Sequence, residues 1–373
     1  MLTIEMLPAD EGDALWIEYG SDPKRHILID CGRKTAYREI IKRFENDANL
    51  NLELFVMTHV DADHISGAVP LLQDDRFGAT RVKDIWFNGW RHLNGMHKKS
   101  DRETPGTLSA KQGEYFGALL WDRGYPWNES FDGYAVVIDD DAPLPKIELA
   151  GGMTLTLLAP DHDKLVEMRQ RWEDDLQTND PNKHLDPGDF ERALELLGRD
   201  SRNRPDVLGR GHEGPVVVSE LLNIPFLADT SEPNGSSIAF LAEYDDQAIL
   251  FAGDAHAPQL ESSLNRLLAD RGKDILKLDA LKMSHHGSAR NNSSTLLEMI
   301  DCQRYLISTN GSRHHHPDPA ALARVLDLYD DGVKFYFNYR SEETKLWDDN
   351  QLINRHRYKA IYPDRKGYLK LEL

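Results

Sequence analysis

The stretch THVDADHISG, residues 58–67, follows without a break on the apolar run ELFVM, residues 53–57. A short continuous apolar run of this kind reads as a buried strand. What comes next is dense in one chemistry, with His59, Asp61, Asp63 and His64 falling inside a single short loop. Imidazole nitrogens and carboxylate oxygens are the ligands of zinc and of harder divalent ions. Alternate residues of an extended loop point the same way, so His59, Asp61 and Asp63 can converge. His64 can turn toward a second ion as a helix starts, and Ala62 with the Ser66-Gly67 pair leaves room at that turn.

Two later segments have the same layout. LFAGDA (250–255) closes an apolar strand with Asp254 beside Gly253. A carboxylate at a strand's C-terminal end faces the crevice where α/β proteins bind ligands. MSHHGS (283–288) also follows a strand and offers His285 and His286. Taken singly, one is an ordinary Gly-Asp turn and the other a surface histidine pair. Together with the 58–67 loop, each after its own strand, they point to a metal centre gathered from distant parts of the chain.

The surrounding sequence supplies a layered frame. LTIEML (2–7), ALWIEY (14–19) and HILID (26–30) read as strands, parted by the turn signals EGD and GSDPK. A helix is expected over about 36–48, with Ile40, Ile41 and Phe44 on one face. Further strands are expected at 82–89, 153–160, 236–244, 248–254, 275 onward, 304–309 and 333–339. Helices are expected from Pro258 to Gly272 and after Pro319. Sheet-rich halves with helices between them suggest a layered α/β sandwich. Two stretches break the rhythm and read as insertions. One is a helical lobe at about 90–136, whose helix has a Ser109/Gln112 capping spacing and ends near Gly124. The other is a polar, broken region at about 161–233 with a helix capped by Asp189 and stopped at Gly198. Trp86, Trp90, Trp121 and Trp127, with Phe87 and Tyr125, either pack that lobe onto the core or stack bases near the site.

The chain has 373 residues, enough for two domains at roughly 150 residues each or for one large unit with insertions. A single domain over 1–373 is expected. Hydrophobic residues make up 40% and charged residues 29%, which excludes a wholly disordered chain. No apolar run approaches the roughly 18 residues of a membrane span. The start, MLTIEMLPADEGD, lacks a basic n-region, and Cys31 and Cys302 cannot make a disulfide framework. A cytoplasmic protein with no membrane contact is expected. Lys and Arg total 44 against 63 Asp and Glu, a net charge of −19 that repels nucleic acid at long range. Locally basic stretches at 91–102, 199–210 and 355–370 are solvated loops or, alternatively, a path for a polyanion.

On these residues the chain resembles the metallo-β-lactamase superfamily, in the branch that includes the hydrolase domain of the DNA-uptake protein ComEC and pneumococcal phosphorylcholine esterase. EGDALWIEYG and HILIDCG match the opening hairpin and first motif, and THVDADH the second in its H-x-D-x-D-H form. SEPNGSSIAF (231–240), FAGDA, KMSHHGS and RHHHP (313–317) match later motifs. The resemblance implies a four-layer αββα sandwich with two divalent ions at one edge, zinc in the first place and manganese as its competitor. His59 and Asp61 would hold the first ion. Asp63, His64 and one of His285 or His286 would hold the second, with Asp254 bridging. Asp30 would orient a ligand histidine. The usual third-motif histidine is missing, with Asn234 standing there, so the first site has fewer ligands. Asn234 and Ser237 become candidates for substrate binding.

Two ions about 3.5 to 4 Å apart activate a shared water and suit hydrolysis of a phosphodiester. The expected activity is a metal-dependent phosphodiesterase of nuclease type, carried by Asp63, Asp254 and Asp30, with His316 as proton donor to the leaving group. Two other functions compete with it. One is hydrolysis of a small phosphoester or cyclic nucleotide, favoured by the acidic charge. The other is a regulatory module that binds a protein partner through the insertions. Cys31 reads as a small buried residue rather than a nucleophile.

Overall fold

A computed structural model describes residues 1–93, 115–178 and 214–373 of the chain. Its first sheet contains β1 (Leu2–Met6), β2 (Leu15–Tyr19), β3 (Arg25–Ile29), β4 (Leu52–Val56) and β5 (Ile85–Trp86), side by side in that order. The chain's last strand, Leu369–Glu372, lies on the outer side of β1. The hairpin strands pair antiparallel, whereas β3, β4 and β5 are parallel. The second sheet begins with β6 (Lys146–Leu149), β7 (Met153–Ala159), β8 (Ala239–Tyr244) and β9 (Gln247–Phe251). A short parallel pair, β10 (Leu276–Leu278) and β12 (Ile300–Cys302), lies apart from it. The sheet continues through β11 (Ala280–Lys282), β13 (Arg304–Ile307), β14 (Lys334–Phe337) and β15 (Lys359–Ile361), all parallel to β9.

Side-chain alternation divides the core into layers. Leu15, Ile17, Ile27 and Ile29 share one apolar cluster with Leu155, Leu157, Ile249 and Phe251, so the two sheets pack face to face. Trp16 and Leu28 point the other way, into a second cluster with Ile40, Ile41 and Phe44 of the helix Lys34–Asn46. The helices Ala257–Arg271 and Pro319–Asp327 bury Leu260, Leu264, Leu322 and Val325 against the second sheet. The result is the expected αββα sandwich. Among the described residues no helix is long and apolar enough to cross a membrane.

The structure departs from expectation at the two insertions. The strand expected over 82–89 narrows to Ile85–Trp86. Side chains take over its pairing, because the Asp84 carboxylate accepts the Glu129 and Ser130 N–H groups and Asn88 bonds both ways with Val136. The aromatic residues of the lobe are packing groups. Phe87 stacks on Trp127 and Phe77 on Tyr125, and the Trp86, Trp90 and Tyr125 side chains are buried. Trp121 and Tyr134 are exposed, with Arg91 over the Trp121 ring. In the second stretch, His162–Thr178 is a long helix opened by Asp161, whose carboxylate accepts the Lys164 N–H. The helices expected from the Ser109/Gln112 and Asp189 caps begin outside the described residues, although Tyr115–Asp122 is helical as far as the turn at Gly124.

Candidate metal centre

Three strands deliver the centre. β4 leads into the His59–His64 loop, β9 into Asp254, and β11 into His285 and His286. β9 and β11 are parallel neighbours, so their C-terminal ends open at the same edge. The loop after β4 is tied to that edge from the other sheet, where the Ile238 N–H donates to the Thr58 carbonyl at 3.0 Å.

Each of the four imidazoles is held at Nδ1 by its own acceptor. His64 Nδ1 lies 2.7 Å from Asp30 Oδ2 and His286 Nδ1 lies 2.9 Å from the Ser308 carbonyl. Both partners only accept, so Nδ1 carries a proton and Nε2 is the nitrogen left to face the centre. Asp30 is fully buried and also takes the Thr58 N–H and hydroxyl, each at 2.8 Å. With its own proton given to Asp30, the Thr58 hydroxyl can accept from His59 Nδ1 at 3.0 Å. His285 Nδ1 lies 3.1 Å from Asn291 Oδ1, whose amide nitrogen is committed to Asp229 and to the Asp254 carbonyl.

The four Nε2 atoms face Asp254. From its Oδ2, His59, His64, His285 and His286 lie at 3.8, 3.5, 3.8 and 3.7 Å. Asp61 Oδ2 is 3.6 Å from His59 Nε2, and Asp63 Oδ2 is 3.4 Å from His286 Nε2 and 3.9 Å from His64 Nε2. Nε2 of His59, His64 and His286, with Oδ1 of Asp61 and Asp254, are buried without a hydrogen-bond partner. Unpaired buried polar atoms are costly. Convergent imidazole nitrogens and carboxylate oxygens are what divalent cations satisfy, and these residues fit them.

The charges are strongly coupled. Burial alone raises the carboxyl pKa values, but His64, with the other histidines, holds Asp63 and Asp254 well below the carboxylate range. Burial likewise lowers the imidazoles, yet Asp254 reverses this and lifts His285 to about 10 and His286 to about 9. Asp61 alone among these acids is raised, because burial outweighs its contact with His59.

His59, Asp61, Asp63, His64, Asp254, His285 and His286 thus come together, with Asp30 behind His64. His316 is buried beside them, its ring centre 4.9 Å from that of His285, with Asp318 Oδ1 3.4 Å from its Nδ1. His314 and His315 are exposed, the latter on Glu343 at 2.9 Å. Ser237 is fully buried and its hydroxyl accepts the Asp254 N–H. Asn234 is buried as well, and its amide donates to Asp229 at 2.7 Å. Burial raises the Cys31 thiol pKa well above its ordinary value, which leaves it a packing residue.

Two residues of the centre escape sequence reasoning. Asp13, in the turn before β2, offers a ligand atom within 4.8 Å of those of His64, Asp254 and His286. Its only sequence signal is an acid in a turn whose hairpin returns to the same edge. Asp229 supports His285 from a segment read as part of an irregular insertion.

Residues 7–311 match the profile of the metallo-beta-lactamase superfamily. The chain belongs to that superfamily, which makes it a hydrolase-type, metal-dependent enzyme. Among solved structures it is similar to zinc-bound PqqB from Methylobacterium extorquens, at 12% identity and TM-score 0.39 over 100% of both chains. It is also similar to a mutant of the CmlA beta-hydroxylase, at 12% identity and TM-score 0.35, covering 100% of this chain and 54% of that one. The chain thus spans about half the length of the hydroxylase. No curated protein matches the chain significantly.

Proposed function

We propose that the chain hydrolyses phosphodiester bonds with two divalent ions, as a nuclease-type enzyme like the branch whose motifs it resembles. The observation that carries this is the carboxylate at the focus of four histidines, Asp254 Oδ2 with Nε2 atoms at 3.5 to 3.8 Å. An acid reached from all sides is suited to bridge two ions. His59 and Asp61 would flank one ion, and Asp63, His64 and His286 the other. The carboxylates admit manganese as well as zinc. Bound there, the ions supply an activated water and neutralise the non-bridging oxygens of a phosphodiester.

The chain's own residues do the rest. Asp30 fixes the tautomer and direction of His64. Asp318 is kept ionised against its burial, chiefly by His316. Its Oδ1 lies 3.4 Å from Nδ1 of His316, the residue that would pass a proton to a leaving oxygen. The test is hydrolysis of bis-p-nitrophenyl phosphate and of single-stranded DNA with added manganese or zinc. Activity lost in Asp63→Ala and Asp254→Ala supports the assignment, and activity surviving in both overturns it.

The net charge of −19 favours a second substrate class, a small phosphoester or cyclic nucleotide, since a long polyanion is drawn in against the overall field. Filter binding at low salt in chelator separates the two. A nuclease retains uncleaved DNA, and a small-ester hydrolase does not.

A further inference from the structure

Resting on the two-ion reading above, we propose that the adjacent His285 and His286 serve different ions, with His285 completing the site of His59 and Asp61. The backbone separates the two rings. His285 and His286 both have positive φ, 47° and 54°, a conformation that side-chain-bearing residues adopt in succession only where their surroundings hold them. The turn splays the rings to 68°, with centres 5.7 Å apart.

The neighbours then divide. His286 Nε2 faces Asp63 and Asp254 at 3.4 and 3.7 Å, and its ring lies 5.2 Å from that of His64. It belongs to the Asp63 side. His285 Nε2 approaches Asp254 at 3.8 Å, while its other neighbours are Asp229, Asn234, Asn291 and His316. Both rings therefore reach the central carboxylate, from different directions.

A separate support holds His285. Asp229 is buried and accepts from Asn234 at 2.7 Å and Asn291 at 3.0 Å, and its Oδ2 lies 3.7 Å from His285 Nδ1. Asn291 presents its carbonyl oxygen to the same nitrogen at 3.1 Å. His286 instead uses the Ser308 carbonyl. Two histidines set by two independent networks are built as two ligands. The Asp61 side, short of donors along the sequence, gains an imidazole by this route.

The test is the number of zinc ions retained per full-length chain after equilibrium dialysis, with folding followed by thermal melting of the metal-free protein. Wild type retains two ions, and His285→Gln and His286→Gln retain one each. Asp61→Asn combined with His285→Gln still retains one, because both changes strike the same site. Asp61→Asn combined with His286→Gln retains none. The milder Asp229→Asn weakens one of the two ions by roughly 10- to 100-fold and leaves the other unchanged. Two ions held at unchanged affinity by His285→Gln would overturn the assignment, as would Asp61→Asn with His286→Gln still retaining one. Wild type retaining fewer than two ions would defeat the two-ion reading itself.

Discussion

Asp13 Oδ2 lies 2.6 Å from Lys282 Nζ, and both side chains are almost fully buried. The other oxygen of Asp13 lies 3.4 Å from His286 Nδ1, so the pair links the opening hairpin to the histidine turn. Burial opposes ionisation of Asp13, but Lys282, helped by His286, holds its pKa down to about 2. Removing one partner leaves an uncompensated buried charge. Lys282→Met is expected to cost about 3–5 kcal/mol in urea unfolding. Asp13→Asn combined with Lys282→Met removes both charges and should recover most of that loss. If the double variant is no more stable than Lys282→Met, the pair is not what the single change breaks.

Asp30 accepts three hydrogen bonds, from the Thr58 N–H, the Thr58 hydroxyl and His64 Nδ1. Asp30→Asn keeps the shape but places an amide donor against one of these donors. The His64 ring then loses its fixed tautomer. Affinity for the ion on the Asp63 side should fall about 10- to 100-fold, the usual effect of losing such an orienting partner. Competition with a chromophoric chelator measures it directly, and unchanged affinity would show that Asp30 serves the backbone alone.

Gly12 is required by close approach. A Cβ at this position would lie 1.7 Å from the Asp63 carbonyl oxygen, which belongs to the backbone of the ligand loop and cannot swing aside. Gly12→Ala is expected to destabilise by about 1–3 kcal/mol, as overpacking does, and to weaken metal binding by displacing Asp63. Gly78, whose Cβ would meet nothing within 4 Å, is the control, and Gly78→Ala should leave both properties unchanged.

How far these relationships can be read along the chain depends on their range. The 59–64 loop is legible because its ligands are neighbours in sequence and follow a fully buried strand. Asp254 and the His285-His286 pair are legible as strand-end polar groups. Asp13 is not, since an acid in a Glu-Gly-Asp turn is ordinary turn chemistry until the hairpin carries it back to the metal edge. The helix His162–Thr178 is obscured by its charges, its apolar stripe reduced to Leu165, Met168 and Trp172. The shortening of β5 depends on Asp84 and Asn88 finding backbone partners more than forty residues away.

Metal loading must compete with protons. In the metal-free protein Asp254 lifts His285 to about 10 and His286 to about 9, against the lowering effect of burial, and His64 is raised as well. These rings carry protons at pH 7, whereas binding through Nε2 needs them neutral. Titration calorimetry with zinc at pH 7, in buffers of different ionisation enthalpy, should therefore show net proton release. Stability follows the same linkage. A raised imidazole pKa contributes stability that is complete below the ordinary 6.5 and is lost as pH rises through about 9 to 10. The lowered carboxylates contribute above their ordinary 3.8 and fail only in strong acid. Metal-free protein should therefore melt at progressively lower temperature from pH 6.5 to 9.5. The loaded protein should gain relative to it over the same interval. Parallel melting curves across that range, or zinc binding without proton release, would mean that His64, His285 and His286 are already neutral before any ion arrives.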